Sequence, residues 1–350
     1  MKISSFKNDF RVKFERSHDI KTQLGALCAR HKDVATFRQF GKSEEGRDIF
    51  GITLGNGRKK VSLIAGAHAD EPVGSQALRV FIEAVFNSRA DFDALLHEFT
   101  FAIVPQINPD SEARNWAWVE KWPDCEAYLK HAFREPPGRD VEFGFPAMRP
   151  ENRCVAEFLN SFAPISLHMS LHGMGFSEGA MLLIEQNWID RTGTLREKFA
   201  DFVSANNLPL HNHDRGGEKG FVHIGPGFTT TPVSTEMRRY FEKIGDAATA
   251  KLFHKSSMQY VRSLGGDPLC IVTEMPLFLI PPDENGEPGR ADAYLRFLEI
   301  KNKLMLKVQK GESIHNELAE FNIRHLEVKT AVRLQLRAIE LALETMNNEQ

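Results

Sequence analysis

The sequence predicts an α/β fold: a mixed, mostly parallel central sheet flanked by helices, with a helical extension at the C-terminus. Apolar runs of strand length recur along the chain, and segments with helical periodicity separate most of them. Many of these runs are apolar throughout, as is typical of strands that are buried on both faces. The 350 residues, 42% hydrophobic and 26% charged, suffice for one large domain with an appendage or for two domains.

The elements follow one another in a regular order. A helix is predicted over about 17–31, another after residue 72 and a third over 151–162. Asn56-Gly57 has the composition of a hairpin turn. The region 114–150 shows no lasting period, and a loop of that length in a compact chain is usually functional. Six segments are predicted as strands: 49–54, 61–66, 99–104, 165–171, 180–184 and 269–273.

The pattern changes after Pro281-Pro282, where two apolar helical stripes follow. We therefore predict a catalytic domain over 1–285 and a helical extension over 286–350. The extension either packs on the main domain or forms a contact between copies of the chain.

Composition excludes several classes of partner. A net charge of -3 gives no reason to expect nucleic acid or an anionic membrane. No apolar run is long enough to span a bilayer, and residues 1–9 lack the apolar core of a signal peptide. The four cysteines form no C-x-x-C pair, and the apolar segments around Cys28 and Cys270 predict that these two are small buried side chains. These features predict a reduced, cytoplasmic protein.

An H-x-x-E tetrad, His68 to Glu71, follows the apolar run 61–66. Chemistry in open α/β sheets lies at strand ends, and an imidazole and a carboxylate can share one zinc ion. The best third ligand is His172, which comes where a strand is expected to end and Gly173 allows a turn. His168 competes because it lies on the same strand face, although a hydrogen-bonded core histidine is its simpler interpretation.

Glu274 is the candidate general base. It ends the apolar run 269–273, where a carboxylate is costly unless it has a partner or a function. Such a group could take a proton from a zinc-bound water and pass it to the leaving amine. A structural ion pair is the alternative interpretation.

The ordered set of His68, Glu71, His172 and Glu274 resembles the M14 metallopeptidases, the zinc carboxypeptidases and their deacylase relatives. Asn108-Pro109-Asp110 resembles the N-P-D turn of that family, which an arginine follows. The resemblance implies that Arg114 polarises the scissile carbonyl and stabilises the oxyanion. It also implies that Tyr260 corresponds to a mobile tyrosine, although a tyrosine on an amphipathic helix is more often structural.

One departure from the family pattern concerns the substrate. Family carboxypeptidases hold the C-terminal carboxylate with an Asn-Arg pair, and Glu142 and Phe143 stand in its place here. A glutamate at this position would repel a carboxylate and favour an amine or a hydroxyl-rich group. Arg139, Arg149 or Arg153 could supply the missing charge.

The leading hypothesis is a zinc amidohydrolase with one zinc ion per chain, acting on a peptide or an amino-acid conjugate. A deacylase of N-acyl amino acids is the first alternative. A binding protein that keeps the fold without turnover is the second, because a fold does not by itself imply a function.

Overall fold

The computed structural model describes residues 12–283 and 289–348. The polar segment 1–9 and the predicted domain boundary at 285 lie outside these described residues.

Ten strands in the described part of the chain form one sheet. The strands are β1 (Ala35–Lys42), β2 (Asp48–Leu54), β3 (Lys59–Ala65), β4 (Phe99–Val104), β5 (Leu167–Ser177), β6 (Met181–Ile184), β7 (His223–Gly225), β8 (Phe228–Thr230), β9 (Leu269–Leu279) and β10 (Arg324–His325).

Helices cover the sheet. They are α1 (Ser17–Arg30), α2 (Val73–Asn87), α3 (Arg89–Glu98), α4 (Pro109–Val119), α5 (Cys125–His131), α6 (Pro150–Asn160), α7 (Gly193–Ala205), α8 (Ser234–Lys243), α9 (Ala247–Ala250), α10 (Ser257–Ser263), α11 (Asp292–Gln309), α12 (His315–Glu320) and α13 (Val328–Asn348). Short 3-10 turns lie at Gln186–Trp188, Asp190–Thr192 and Glu218–Gly220.

The strand order is β1-β2-β4-β3-β5-β9-β6-β8-β7, and β10 adds to β9. The central strands β4, β3, β5 and β9 run parallel to one another, while β2 and β6 flank them antiparallel. This architecture confirms the predicted mixed sheet with helices around it. It also brings the ends of β3, β5 and β9 to one edge of the sheet.

Three local predictions differ from the structure. Asn56-Gly57 is not a hairpin turn, because β4 lies between β2 and β3 in the sheet. The strands predicted over 165–171 and 269–273 both continue further, past Gly173 and Pro276, since β5 and β9 pair with each other as far as Ser177 and Leu279. Pro276 is tolerated because the β6 ladder on the other side of β9 ends at Glu274, so no partner strand there needs its missing N–H.

The C-terminal helices belong to the main hydrophobic core. Helix α13 packs against α2, α7, β9 and β5, and its stripe of Val332, Leu336, Ile339 and Leu343 is buried there. The second of the two predicted helical stripes is not one helix, because it is divided among α12, β10 and α13. The extension thus packs on the main domain, which is the first of the two predicted alternatives. A contact between copies of the chain stays a prediction. Within the described ranges, no helix combines the length and the apolar character that a membrane crossing requires.

Candidate metal centre

A tight turn after β3 carries the chain into the tetrad. Gly66 has a φ of 77°, and a Cβ at this position would lie 1.8 Å from Oε1 of Gln106. Only glycine fits both constraints. The tetrad then closes through a hydrogen bond from the Glu71 N–H to the His68 carbonyl (3.1 Å), just before α2 begins. The positive end of α2 favours a carboxylate at Glu71.

Three ligand atoms converge between this turn and β5. His68 Nδ1 and His172 Nδ1 are 2.9 Å apart, and Glu71 Oε2 lies 3.1 Å from His172 Nδ1 and 3.5 Å from His68 Nδ1. Two ligands of a tetrahedral zinc ion, each about 2.0–2.1 Å from it, are separated by about 3.3 Å. The donor set and its spacing therefore fit zinc, and in the described part of the chain these three residues are the group able to hold a metal.

Strand β5 also orients the carboxylate. The N–H of Gly173 donates to Glu71 Oε2 at 3.1 Å. A Cβ on Gly173 would lie 2.8 Å from the carbonyl oxygen of Met275, so the close β5–β9 contact excludes a larger residue. From α13, the amide of Gln335 donates to the His172 carbonyl at 2.7 Å and fixes the backbone behind the ligand.

Each histidine has a carboxylate partner on its other ring nitrogen. His68 Nε2 donates to Asp140 Oδ1 at 3.1 Å, and His172 Nε2 donates to Glu142 Oε2 at 3.2 Å. Ser257 donates to Glu142 through both its backbone N–H and its hydroxyl, which keeps that carboxylate in place. Partners of this kind fix the tautomer and the ring orientation of metal ligands. Both Nδ1 atoms are thereby left to face the shared position.

The charges at the centre favour this arrangement. Burial would raise the pKa of Glu71, but Arg134 and the two imidazoles hold it well below its usual value. Burial and Arg134 lower the pKa of His68, yet Asp140 and Glu71 outweigh them and raise it to about 9. An excess of negative charge around two imidazoles is the environment that a divalent cation would neutralise.

Glu274 lies beside the ligands. It is the register partner of His172 across β5 and β9, so both side chains are on the same face of the sheet. Its Oε2 is buried and has no hydrogen-bond partner. Burial raises the pKa of Glu274 to about 8, and the charge of Glu71 acts in the same direction. A cation held by the ligands would lower that pKa again.

Arg134 is the guanidinium that contacts the cluster. Its Nε lies 2.8 Å from Asp70 Oδ1, and its Nη2 donates to Asp70 Oδ2 (3.0 Å) and to Glu71 Oε1. Its Nη1 has no bond to any described residue. Arg134 was not predicted from the sequence, because it lies in the aperiodic region after α5 and no motif marks it.

Comparisons with known proteins agree with this geometry. The zinc carboxypeptidase family model of M14 peptidases matches residues 20–124, which include His68 and Glu71. Mouse (Mus musculus) carboxypeptidase D is 25% identical over 181 residues, which are 49% of this chain and 13% of that protein. The solved structure of bovine thrombin-activatable fibrinolysis inhibitor in complex with tick carboxypeptidase inhibitor has a TM-score of 0.55 at 14% identity, covering 96% of this chain and 98% of that one. Over residues 20–124 this chain is therefore similar to the M14 zinc carboxypeptidases, and its fold is that of a carboxypeptidase.

Two further likenesses define how far the relationship extends. Carboxypeptidase A from Helicoverpa armigera shares the fold with a TM-score of 0.55 at 12% identity, over 96% of this chain and 74% of that one. An inactive metallocarboxypeptidase of Schizosaccharomyces pombe is 27% identical over 135 residues, 34% of this chain and 27% of that protein. The carboxypeptidase-like chain spans about an eighth of the length of the carboxypeptidase D relatives that it matches.

The structure does not bring Arg114 to the centre of this carboxypeptidase-like protein. Arg114 is on α4, where its Nη2 donates to Glu45 at 2.7 Å and its guanidinium stacks over Phe133. Its side chain is 43% exposed. The N-P-D turn caps α4 and directs Arg114 outward, so Arg134 takes the place expected for Arg114.

The contacts of Tyr260 and His168 are structural. The Tyr260 hydroxyl donates to the Ala156 carbonyl at 3.0 Å, and its ring stacks on Phe145. His168 bonds to the hydroxyls of Ser62 and Ser257 deep in the core, and burial lowers its pKa to about 4. His168 is therefore a core histidine, and its hydrogen bonds leave no nitrogen for the metal position.

The residues expected to bind substrate are dispersed. Glu142 is buried behind His172, as described above, and Phe143 packs edge-on against Phe253. Arg139 pairs with Glu44 at the surface. Arg149 is buried among Glu135 and Glu151, and Arg153 is exposed. None of these arginines contacts the metal ligands.

An apolar wall adjoins Glu274 on the same face of the sheet. Met181 pairs with Glu274 across β6 and β9, and Leu183 pairs with Val272. These side chains form a cluster with Met258 and Cys270, which is separate from the main core. We call Met181, Leu183, Val272 and Met258 the methionine wall. These side chains are buried against one another on the face of the sheet that carries Glu274.

Proposed function

We propose that this protein is a zinc-dependent hydrolase of an amide bond in a peptide or an amino-acid conjugate. The observation that carries the proposal is the convergence of His68, Glu71 and His172 next to Glu274, whose Oε2 is buried and has no hydrogen-bond partner in the described part of the chain. An unsatisfied buried oxygen is costly, and active sites are where such groups are kept.

A zinc ion at this centre would polarise the substrate carbonyl and lower the pKa of a bound water. The protein groups around it have separate tasks. Glu274 accepts a proton from the attacking water and delivers it to the leaving nitrogen. Arg134, through its unbonded Nη1, donates to the oxyanion that develops on the carbonyl oxygen. The proposal thus transfers to Arg134 the role that the sequence suggested for Arg114.

The substrate is one of two classes. With Glu142 bound to His172 and Phe143 packed on Phe253, neither residue can hold a terminal carboxylate as an Asn-Arg pair would. This favours testing N-acyl amino acids beside peptides. A panel of apolar C-terminal peptides and their N-acyl amino-acid analogues, assayed with the zinc-loaded protein, separates the two classes.

The purified protein is expected to contain about one zinc ion per chain. Adding zinc at about a hundred times its Kd to metal-free protein should stabilise the fold by about 2.7 kcal/mol, seen as a rise in Tm. Elemental analysis and thermal unfolding provide the two measurements. His172→Asn should lose the metal, whereas His97→Asn, an exposed change on α3, should keep it. Protein that cannot be loaded with zinc at all would contradict the proposal.

Glu142→Gln is expected to weaken zinc binding about 10–100-fold, because the carboxylate that orients His172 is lost. The Ser257 donors and the volume of the side chain are retained, so the fold should survive. Competition with a chromophoric chelator measures the affinity. Glu135→Gln is the matched control, since Glu135 is equally buried but bonds to Arg149 and Ser111. Equal zinc affinity in the two variants would show that Glu142 does not position His172.

The inactive relative suggests a second candidate, a binding protein without turnover. It would hold zinc and bind the amides of the panel while cleaving none of them. The retained Glu274 and Arg134 favour the enzyme, and the same panel distinguishes the two functions.

A further inference from the structure

A short segment beside β6 lies close to the proposed general base. Leu210 forms a parallel bridge with Ala180, and the N–H of His211 donates to the Ala180 carbonyl at 3.0 Å. The next residue, Met181, is the register partner of Glu274. The segment is therefore two strand positions from Glu274, or roughly 10 Å at the usual strand spacing.

This segment contains polar groups with no partner. His211 is only 2% exposed, and neither of its ring nitrogens has a hydrogen bond. Nδ1 of His213 is also buried and unpaired. Burial lowers the pKa of His211 to about 3, and the charges of His213 and Arg215 act in the same direction. An unpaired buried polar group destabilises a fold, so two such histidines in one short segment indicate a ligand.

Two more groups complete the cluster. The ring of Tyr294, in the first turn of α11, is edge-on to His211 with a centroid separation of 5.0 Å. Burial raises the pKa of Tyr294, and the charges of both Arg215 and Glu274 reach its hydroxyl. The Arg215 guanidinium lies over the Phe221 ring, and no ion pair joins it to a described residue. We call these four residues the histidine–arginine cluster: His211, His213, Arg215 and Tyr294.

Three acidic residues lie next to this cluster, and each has a partner. The buried Glu178 accepts a hydrogen bond from the N–H of Tyr294 at 3.2 Å. Asp214 accepts a hydrogen bond from the N–H of Gly216, and Glu218 pairs with Lys219. The cluster thus brings imidazole N–H groups, a phenol hydroxyl and a guanidinium into one region, and all of these groups are hydrogen-bond donors. This donor set is suited to an anionic oxygen ligand.

The other side of the metal centre has the opposite character. Five carboxylates lie around the histidine ligands there: Asp70, Glu71, Asp140, Glu142 and Glu274. Arg134 contacts two of them, Asp70 and Glu71. An anionic substrate group would be repelled from that side. The contrast in charge gives the substrate a preferred orientation.

We propose that the histidine–arginine cluster binds a carboxylate group of the substrate. The proposal rests on the proposed function, since the carboxylate is placed relative to an amide that is cleaved at the metal centre. The bound carboxylate pairs with the guanidinium of Arg215 and accepts hydrogen bonds from the imidazoles. The methionine wall lies between the cluster and Glu274 in the order of the strands, so apolar residues separate the bound carboxylate from the metal centre.

Two probes test the assignment directly: N-acetylphenylalanine and N-acetylphenylalanine amide, which differ only in the carboxylate. Isothermal titration with wild-type protein should show about ten-fold or greater preference for the acid, as expected for a charge-assisted contact. Arg215→Gln and His213→Gln should each remove most of that preference. Arg89→Gln, whose guanidinium pairs with Asp33 and Asp93 on the surface, should leave it unchanged.

The same titrations on metal-free protein separate this proposal from the proposed function. Preference for the acid should persist without zinc and remain sensitive to Arg215→Gln. If the preference for the acid is lost when zinc is removed and is unchanged by Arg215→Gln, the carboxylate binds the zinc. That result would overturn the assignment. Equal affinity for acid and amide would overturn it as well. Failure of the proposed function would be seen in other measurements, as a lack of zinc uptake or a lack of hydrolysis of every compound in the panel.

Discussion

Replacing Glu274 with glutamine is expected to reduce kcat by about 10²–10⁴-fold, the usual contribution of a general acid–base group, while zinc stays bound. The amide of glutamine has nearly the same volume and still fits between β5 and β6. It cannot accept the proton of the attacking water, so the loss appears in kcat. Steady-state kinetics on the first amide found to be cleaved, with zinc content measured on the same sample, provide the test.

The matched control for this variant is Glu185→Gln. Glu185 has a buried side chain that pairs with Arg262. Its backbone N–H donates to the Cys270 carbonyl of β9. It has no contact with the metal ligands, so its replacement should change kcat by less than about three-fold, in keeping with a modest structural ion pair. Full activity of Glu274→Gln with zinc in place would remove Glu274 from the mechanism.

The regular part of the fold was predictable because periodicity and buried apolar runs are local signals. The strand predicted over 99–104 coincides with β4, and the helix over 17–31 differs from α1 by a single residue. Strand order is not local, and the hairpin expected at Asn56-Gly57 failed for that reason. The ends of β5 and β9 were placed too early, because pairing between these two strands outweighs the preferences of Gly173 and Pro276.

In the candidate site, too, only some of the residues have a local signal in the sequence. His68 and Glu71 are close in sequence, and His172 and Glu274 come directly after apolar runs, so pattern alone can select them. Their supporting groups have no such signal. Arg134, Asp140 and Glu142 lie between α5 and α6, outside any helix or strand, and only the folded chain decides which side chains turn inward. The sequence therefore pointed to Arg114 beside the metal ligands, where the structure has Arg134. It also predicted a substrate contact for Glu142, whose carboxylate bonds to His172 and Ser257.

Replacing Arg134 with glutamine is expected to lower kcat/KM by about 10²–10³-fold, the cost of losing an oxyanion donor. Glutamine keeps a hydrogen-bond donor near Asp70 but lacks the charge and the reach of the free Nη1. The contact between Arg134 and Glu71 adds a second effect, since its loss would also change zinc affinity. Kinetics at saturating zinc, with the occupancy measured for each sample, isolate the effect on the transition state.

Arg114→Gln is the comparison that decides between the two arginines. Arg114 makes a surface ion pair with Glu45, and such pairs contribute about 0–1 kcal/mol, so kcat/KM should change by less than about five-fold. Arg134→Lys should recover part of the activity, because it restores a positive charge without the planar fork of the guanidinium. A large loss in Arg114→Gln with little change in Arg134→Gln would require α4 to move toward the metal centre when substrate binds. The fixed ladder of contacts from Asp110 to Ser43, Glu45 and Arg47 opposes that movement, because it ties the first turn of α4 to the segment that precedes β2.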